Sequence, residues 1–372
     1  MEAAVARRGL PAASALALLA GLCLVGCGPK PALRIGFLGG LTGRAASFSE
    51  EGRNGVILAI EQRNQAGGVG GRTLELVVQD HGTTAGQAVP AFEALVATRV
   101  DAVIGPYASE TALALLPAID AARVLVLSPA VTSVALAGRD DHLVRLSRTT
   151  RDNAQALAEK LHARGQRRVA LATDTGNRAY FVAWRDDFKA AFTALGGQVV
   201  VDAEFTSTPD TSFEGVVRSV LAAAPDALVA VTSSVDAALI AQQMAKQPQR
   251  VPMAAIAASD ALLELGGGAV EGMLVAQAYN RADDSPRFRS FVEAYRARFD
   301  REPSYSAIAS YDAVLVLAQA LAQAAPGEPL RDAVLHYQPY EGVQGAIRFD
   351  GFGDGTRPAF FSVVRHGRFE PL

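Results

Sequence analysis

Short aliphatic runs alternate with longer stretches of helical period from Leu33 to the end of the chain. A first strand is predicted at 33–38 and a helix from about Glu50 to Ala66, which the glycine-rich residues 67–71 end. The same series continues with strands at 74–79, 101–105 and 124–128 and helices at 85–98 and 110–122. This alternation predicts β-α units around a parallel sheet.

A second series of the same kind starts after residue 147. In its clearest helix, one face carries Phe213, Val216, Val217, Val220 and Leu221. A last β pair is predicted at 346–349 and 359–365, joined by the Asp- and Gly-rich turn 350–355. The other elements are strands at 168–173, 198–205, 227–232, 251–257 and 272–279 and helices at 286–299 and 304–324. Two α/β lobes are expected.

A separate apolar run, from Ala12 to Val25, follows Arg7 and Arg8 and ends at Gly26-Cys27. The run is too short to span a bilayer and is typical of a signal peptide over residues 1–26. Its end resembles the pattern of bacterial lipoproteins, which implies lipidation of Cys27 and a spacer at 27–32. The alternative is an ordinary signal peptide with a chance cysteine.

Length and charge restrict the class of protein further. The chain has 372 residues and a net charge of −3. Without the signal, about 346 residues remain, more than one core usually holds, so two domains are expected. No basic stripe suggests a nucleic-acid partner. Because the other cysteine, Cys23, lies in the signal, no disulfide is expected, and no later apolar run suggests a membrane helix.

Motifs of enzymes are missing from the sequence. The glycines after the first strand do not follow Gly-x-Gly-x-x-Gly spacing, and neither a Gly-x-x-x-x-Gly-Lys loop nor a Gly-x-Ser-x-Gly elbow occurs. The histidines do not have a metal-ligand spacing; they are His81, His142, His162, His336 and His366. A binding protein without cofactor or metal is therefore favoured over an enzyme.

Hydroxyl side chains follow two neighbouring strands of the first series. Ser109 is predicted as the N-cap of a helix after strand 101–105, and the turn from Ser128 to Ser133 follows strand 124–128. Loops at the carboxyl ends of parallel strands form ligand crevices, and helix N-termini attract anions. A ligand carboxylate is the natural guest. The alternative is that these hydroxyls only cap helices.

At this point the chain resembles a family. From Leu33 to Gly367 it is similar to the branched-chain amino-acid-binding class of periplasmic binding proteins, which deliver ligands to ABC transporters. The strings that carry the resemblance are GFLGGLTGRAASFSEEGRNGVILAIEQRNQAGGVGGRTLELVVQD, DAVIGPYASETALALLPAID, LVLSPAVTS, HLVRLSRTTRDNAQALAEKL and VEGMLVAQAY. The implied fold is α/β, with two Rossmann-like lobes of parallel sheets joined by a three-crossover hinge. The lobes would comprise 33–147 plus 280–345 and 148–279 plus 346–372.

The resemblance also implies roles for single residues. Ser109 and Thr132 would hold the α-carboxylate of a ligand, and Ala108 and Val131 would supply backbone groups. Phe48, in the first loop, would pack on the ligand, and Tyr180 would close over it from the second lobe. Core packing is the alternative for both aromatic residues.

One departure from the family leaves the ligand open. Amino-acid-binding members hold the ligand's ammonium with an acid at the end of the strand that is 251–257 here, and this stretch has none. Because a buried ammonium without a partner is costly, either Asp260 or Asp236 substitutes or the ligand lacks an ammonium. Loop 232–236, which includes Ser234, has small hydroxyls where some relatives have tyrosine.

The resemblance implies an exported, lipid-anchored and monomeric binding protein that captures a small organic ligand by hinge closure. Branched-chain or other amino acids, amides and small organic acids are the candidate ligands, and an ABC permease with its ATPases would be the partner. The alternative is an envelope regulator or scaffold lipoprotein with the same fold that does not transport.

Overall fold

The computed structural model describes residues 30–43, 46–257 and 259–372, together with Met1. The predicted lipidation residue Cys27 and the signal sequence from Glu2 onward lie outside the described residues.

The strands and helices alternate over most of the described chain. The strands are β1 (Leu33–Gly39), β2 (Leu74–Asp80), β3 (Ala102–Ile104), β4 (Leu125–Ser128), β5 (Leu143–Arg145), β6 (Arg168–Asp174), β7 (Gln198–Phe205), β8 (Ala227–Val231), β9 (Met253–Ala255), β10 (Leu274–Gln277), β11 (Tyr340–Gly342), β12 (Gly345–Ile347), β13 (Phe360–Arg365) and β14 (Arg368–Pro371). The helices are α1 (Ala46–Gln65), α2 (Ala88–Ala97), α3 (Ser109–Ala122), α4 (Thr150–Ala163), α5 (Phe181–Ala194), α6 (Glu214–Ala222), α7 (Ser234–Ala245), α8 (Asp260–Gly266), α9 (Pro286–Phe299), α10 (Tyr305–Gln323) and α11 (Leu330–His336).

The first lobe is built on a parallel five-stranded sheet in the order β2-β1-β3-β4-β5. Successive side chains of β1 point to opposite faces, so Ile35 and Phe37 enter one core and Leu38 enters the other. Helices cover both faces, which explains why the strands are apolar throughout rather than alternating.

The second lobe is built on a seven-stranded sheet in the order β14-β13-β10-β9-β8-β6-β7. Its strands β6 to β10 are parallel, whereas β13 and β14 are antiparallel additions at one edge. In β8, Leu228 and Ala230 face one core and Val229 and Val231 face the other. The predicted α/β fold with two lobes is confirmed.

Helix α10 is long and apolar enough by composition to cross a membrane, although no segment after Cys27 was predicted as a membrane helix. Its mean hydropathy reaches 1.3, and 67% of the apolar window is buried inside the lobe. Ala313, Val314 and Leu317 pack in the core of the first sheet. The helix is therefore a core helix of the first lobe.

The predicted pairing of 346–349 with 359–365 is wrong. Strand β12 pairs with β11, and β13 pairs with β10 and β14. The predicted turn does form, because the side chain of Asp350 accepts from the amides of Phe352 and Asp354, and one bridge joins Phe349 to Gly355. The chain then crosses to the second lobe instead of returning as a hairpin, and Phe349 packs in the first core.

The chain passes between the lobes three times, after β5, after β10 and after β12. In the third crossover, the Asp354 carboxylate lies 2.6 Å from Nη2 of Arg145, a side chain with no solvent exposure. Three residues later, Nη2 of Arg357 lies 2.6 Å from the buried carboxylate of Asp312 on α10. Two ion pairs thus fasten the third crossover to the first lobe.

The third crossover passes close to the start of the first crossover at Gly355, and this contact allows a test of the arrangement. A Cβ at Gly355 would lie 2.6 Å from the carbonyl oxygen of Arg145 and 2.8 Å from that of Leu146. Because both atoms belong to backbone, we expect Gly355→Ala to lower the free energy of unfolding by about 1–3 kcal/mol. Urea denaturation of the purified protein measures the change.

Gly351→Ala is the matched control, since a Cβ at Gly351 would have no neighbour within 4 Å. Equal stability of the two variants would contradict the close packing of the crossovers.

Candidate functional site

The strand order places a crevice at the carboxyl ends of β1, β3 and β4. Order 2-1-3 means that the connections of β1 and β3 leave the sheet on opposite sides, so a crevice opens between these strands. The second sheet has the same kind of switch between β6 and β8. The loops after these strands carry most of the predicted ligand-binding residues.

The structure brings Ser109 and Thr132 together. Oγ of Ser109 lies 3.4 Å from the amide nitrogen of Thr132 and 3.3 Å from that of Ser133, and it accepts from both. Both side chains are buried, with Ser109 2% and Thr132 8% exposed. The two hydroxyl-bearing loops therefore form one local structure at the end of β3 and β4.

The hydroxyl of Thr132 is the unusual group of this pair. Its Oγ1 is buried without a hydrogen-bond partner in the described part of the chain. Buried polar groups in proteins are nearly always paired, because an unpaired one costs about 1–3 kcal/mol. An unpaired hydroxyl next to a helix N-terminus suggests a place for a ligand acceptor group.

The cap of α3 differs from the prediction by one residue. Ala108 is the N-cap, with extended backbone at φ −113° and ψ 136°, and Ser109 is the first helical residue. The carbonyl of Ala108 accepts from Ala112, and the amide of Val131 donates to Ser128 Oγ at 3.3 Å. The Ala108 amide and the Val131 carbonyl are therefore the backbone groups that these residues could offer to a ligand.

Phe48 lies in the first turn of α1 and not in a loop, because the helix starts at Ala46, four residues before its predicted start. Its ring packs edge-on to Tyr107 with centroids 6.1 Å apart. A Cβ at Gly52 would lie 2.5 Å from the Tyr107 ring, so this glycine lets α1 approach. Phe48 is half-buried beside the loop that carries Ser109.

Tyr180 lies at the N-terminus of α5 in the second lobe and is half-buried. Its ring packs on Phe181 with centroids 4.9 Å apart. Burial raises its pKa to about 12, and the nearby hydroxyl of Tyr305 adds to the effect. Because Tyr305 belongs to the first lobe, Tyr180 faces that lobe across the cleft.

Tyr305 was not predicted as a site residue. Its hydroxyl lies 2.5 Å from Ser147 Oγ and donates to the carbonyl of Pro129 at 3.1 Å. These contacts fix the ring beside the loop that contains Thr132. A tyrosine just after the start of the predicted helix 304–324 carries no local signal of this position, since only the packing of α10 brings it there.

The lobes also touch directly. The amide of Ala179 in the second lobe donates to Oε2 of Glu110 on α3 at 3.2 Å. The loop before Ala179 is shaped by Asp174, whose Oδ1 accepts from the amides of Gly176 and Ser207. The N-terminus of α3 therefore serves both the Ser109 loop and the contact between the lobes.

Ser234 and Asp236 have internal roles in the second lobe. Ser234 Oγ accepts from the amide of Ser259 at 3.1 Å, which links the loop after β8 to the start of α8. The buried carboxylate of Asp236 accepts from the hydroxyls of Thr232 and Ser233. Of the two predicted substitutes for the missing acid, Asp236 is thus engaged in the cap of α7.

Asp260, the other candidate, is the first residue of α8, and its side chain is 51% exposed. Its carboxylate lies 3.9 Å from Nη2 of Arg281 in the second crossover. The guanidinium of Arg281 stacks on the rings of Tyr279 and Phe369 and donates to Gln277. Asp260 is therefore loosely paired and accessible.

Glu51 is a second acidic residue at the cleft, and the sequence analysis did not name it. It lies one helical turn after Phe48, half-buried, near the Ser304 side chain. Burial raises the pKa of its carboxyl, the Ser304 hydrogen bond opposes the rise, and the charge of Asp260 adds to it. Glu51 of the first lobe and Asp260 of the second therefore lie within electrostatic reach of each other.

Metal-ligating side chains do not cluster among the described residues. In the ranges 30–43, 46–257 and 259–372, no group of three or more His, Cys, Asp or Glu side chains could hold a metal ion. Two surface concavities, of about 420 and 400 Å³, lie away from the cleft.

Comparison with known proteins gives consistent relatives. A family model described as periplasmic binding protein matches residues 32–368. The leucine-, isoleucine-, valine-, threonine- and alanine-binding protein of Pseudomonas aeruginosa is 25% identical over 334 residues, which cover 87% of each chain. A leucine binding protein from Thermotoga maritima is 26% identical, with a TM-score of 0.83 over 91% of this chain and 97% of that one. A substrate-binding protein from Desulfitobacterium hafniense in complex with Leu is 26% identical, with a TM-score of 0.78 over 92% and 100%.

The raised pKa of Glu51 predicts a pH dependence of stability. Between its ordinary value of 4.5 and its higher folded value, the folded state binds more protons than the unfolded state, so stability falls as pH rises. The side chain of Glu51→Gln does not titrate, so the variant does not lose this stability as pH rises. We therefore expect the variant to melt above wild type at pH 7, and the difference to shrink to zero toward pH 4.

Calorimetric melting curves from pH 4 to pH 8 measure the effect, with the exposed Glu93→Gln as control. A constant difference between Glu51→Gln and wild type over this range would show that the carboxyl does not titrate differently on folding.

Proposed function

The chain belongs to the periplasmic binding protein family, and we propose that this member captures a small α-amino acid for an ABC transporter. Membership confirms the resemblance seen in the sequence, and it confirms a binding protein in place of an enzyme. The observation that carries the proposal is the buried hydroxyl of Thr132 beside Ser109, which has no hydrogen-bond partner among the described residues.

The ligand carboxylate would take the place between these two loops. It would accept from the Thr132 hydroxyl and from the first amides of α3, which precede the first helical hydrogen bond from Ala112 to Ala108. The amides now bound to Ser109 Oγ are held at 3.3 to 3.4 Å, which is long for such bonds. A carboxylate oxygen is a stronger acceptor than a hydroxyl and could recruit them.

The ligand ammonium would lie between Asp260 and Glu51. Asp260 is accessible, and Glu51 is a half-buried carboxyl whose ionised form is disfavoured by burial. A cation between two like charges relieves their repulsion. Together they would replace the acid that is missing from 251–257.

Closure would bring the two lobes onto the ligand. Phe48 and Tyr305 would form the wall of the first lobe, and Tyr180 would cover the ligand from the second. The contact of Ala179 with Glu110 would hold the closed form. A ligand that contacts both lobes shifts the population toward the closed state, which the transporter recognises.

The relatives named as leucine-binding proteins support branched-chain or other small amino acids as ligands. The family implies export to the periplasm, with the permease and ATPases of an ABC transporter as partners. We also propose that Cys27 carries the lipid anchor, with more than one acyl chain, because a single chain binds membranes only marginally. A monomer suffices for this function.

Ligand binding by the proposed cleft is measurable as a thermal shift. The panel comprises L-leucine, L-isoleucine, L-valine, L-alanine, L-leucinamide and benzoate. A ligand at a hundredfold excess over its Kd should stabilise the protein by about 2.7 kcal/mol. We expect at least one amino acid to do so, and Ser109→Ala to reduce the shift, because the loop with Thr132 loses its support.

Ser219→Ala is the control, since Ser219 is exposed on α6. If no ligand of the panel stabilises wild type, the envelope regulator with the same fold becomes the better interpretation. Full binding by Ser109→Ala would exclude Ser109 from the site.

The position of the ammonium has its own test. Asp260→Asn should weaken L-leucine about tenfold or more, because a charged hydrogen bond contributes about 1.5–3 kcal/mol. Binding of 4-methylpentanoate, which lacks the amino group, should not weaken. Isothermal titration calorimetry measures both. Equal losses for the two ligands would place Asp260 away from the ammonium.

A further inference from the structure

The first crossover, which follows β5, contains Arg148. The chain is fastened to the loop after β4 on both sides of this residue. Ser147 Oγ donates to the carbonyl of Pro129 at 2.7 Å, and the amide of Thr150 donates to the carbonyl of Thr132 at 2.7 Å. The backbone around Arg148 therefore runs alongside the segment that carries the unpaired Thr132 hydroxyl.

Three arginines at a spacing of three residues allow a comparison: Arg145 ends β5, Arg148 lies in the first crossover, and Arg151 lies in the first turn of α4. Arg145 is fully buried, and its guanidinium is bound by Asp354 and by the carbonyl of Ser133. Arg151 is 64% exposed and pairs with Asp187 at 3.4 Å. Arg148 is half-buried, and no hydrogen bond or ion pair joins its side chain to another residue of the described ranges.

The environment of Arg148 disfavours an unpaired cation. Burial lowers the pKa of its guanidinium, and the charge of Asp152, the nearby acid, opposes this effect only in part. Arginine remains charged at any physiological pH, so the side chain cannot relieve the cost by losing its proton. An anion beside it would relieve the cost, and its planar fork suits a carboxylate.

We propose that Arg148 pairs with the ligand carboxylate held at Ser109 and Thr132, and that it makes the cleft select acids over their amides. The proposal rests on the proposed function and adds a formal positive charge to a cradle otherwise made of hydroxyls and amides. The chemical class of ligand is thereby restricted to molecules with a free carboxylate. Arg148 is a specificity-determining residue of the first crossover.

The experiment compares acids with their amides. Wild type, Arg148→Gln, Arg148→Lys and the control Arg151→Gln are titrated calorimetrically with L-leucine, L-leucinamide, benzoate and benzamide. We expect Arg148→Gln to weaken the acid that wild type binds by about tenfold to a hundredfold and to leave its amide unchanged. Arg148→Lys should be intermediate, and Arg151→Gln should bind as wild type does.

A measurement without ligand separates this role from a structural one. Since no hydrogen bond or ion pair joins Arg148 to the described chain, and Asp152 offsets the cost of its burial only in part, Arg148→Gln should unfold in urea at the wild-type midpoint or above it. Lower stability of the empty variant, or equal losses for acid and amide, would overturn the inference.

The two proposals fail in different ways. Undiminished binding of the acid by Arg148→Gln contradicts the role of Arg148 alone. If wild type binds neither the acids nor the amides, the proposed function and this inference are both wrong.

Discussion

The ion pair between Arg145 and Asp354 is the constraint on which the arrangement of the lobes depends. Arg145 is completely buried, and it holds Asp354 of the third crossover and the carbonyl of Ser133 at the same time. Because Ser133 directly follows Thr132, one side chain positions both a crossover and the end of the candidate carboxylate site. Breaking a buried pair costs about 3–5 kcal/mol, since the remaining charge has no partner. The ion pair matters here because it positions the third crossover and the end of the candidate site, rather than because it adds net stability.

The second pair, Arg357 with Asp312, extends the constraint along the third crossover. Burial disfavours the charged form of Arg357. Asp312 and Tyr305 favour the charged form more strongly, so the pKa of the guanidinium lies above its ordinary range. The crossover is thus fastened to the first lobe as far as residue 357. The proposed closure would then require bending after that residue and in the other two crossovers. One of those carries Arg148, so closure and ligand contact would act on the same segment.

Local patterns predicted much of the fold and part of the site. The bounds of α9 agree with the prediction because an N-cap serine and a proline start it, and Ser109 and Thr132 were found because parallel strands end at a common edge. Contacts between residues far apart in the sequence could not be predicted from local patterns. Strand β13 pairs with β10, and the whole first-lobe segment from α9 to β12 lies between these two strands in the sequence. Tyr305, Glu51 and Arg148 reach the cleft through the packing of helices and crossovers, which hydrophobic periodicity does not encode.

The charges around the cleft, taken together, bear on why segment 251–257 has no acid. Arg148 has no ion-pair partner in the described chain, and the charge of Asp260 raises the pKa of Glu51, although Arg281 lies near Asp260 and Arg301 acts on Glu51 in the opposite sense. An anion beside Arg148 and a cation beside the two acids would each lower one of these electrostatic costs. A molecule with only one charge relieves one of these costs and leaves the other. A zwitterion of the size of a small amino acid relieves both, and the differential affinity that drives closure would therefore be largest for that class of ligand.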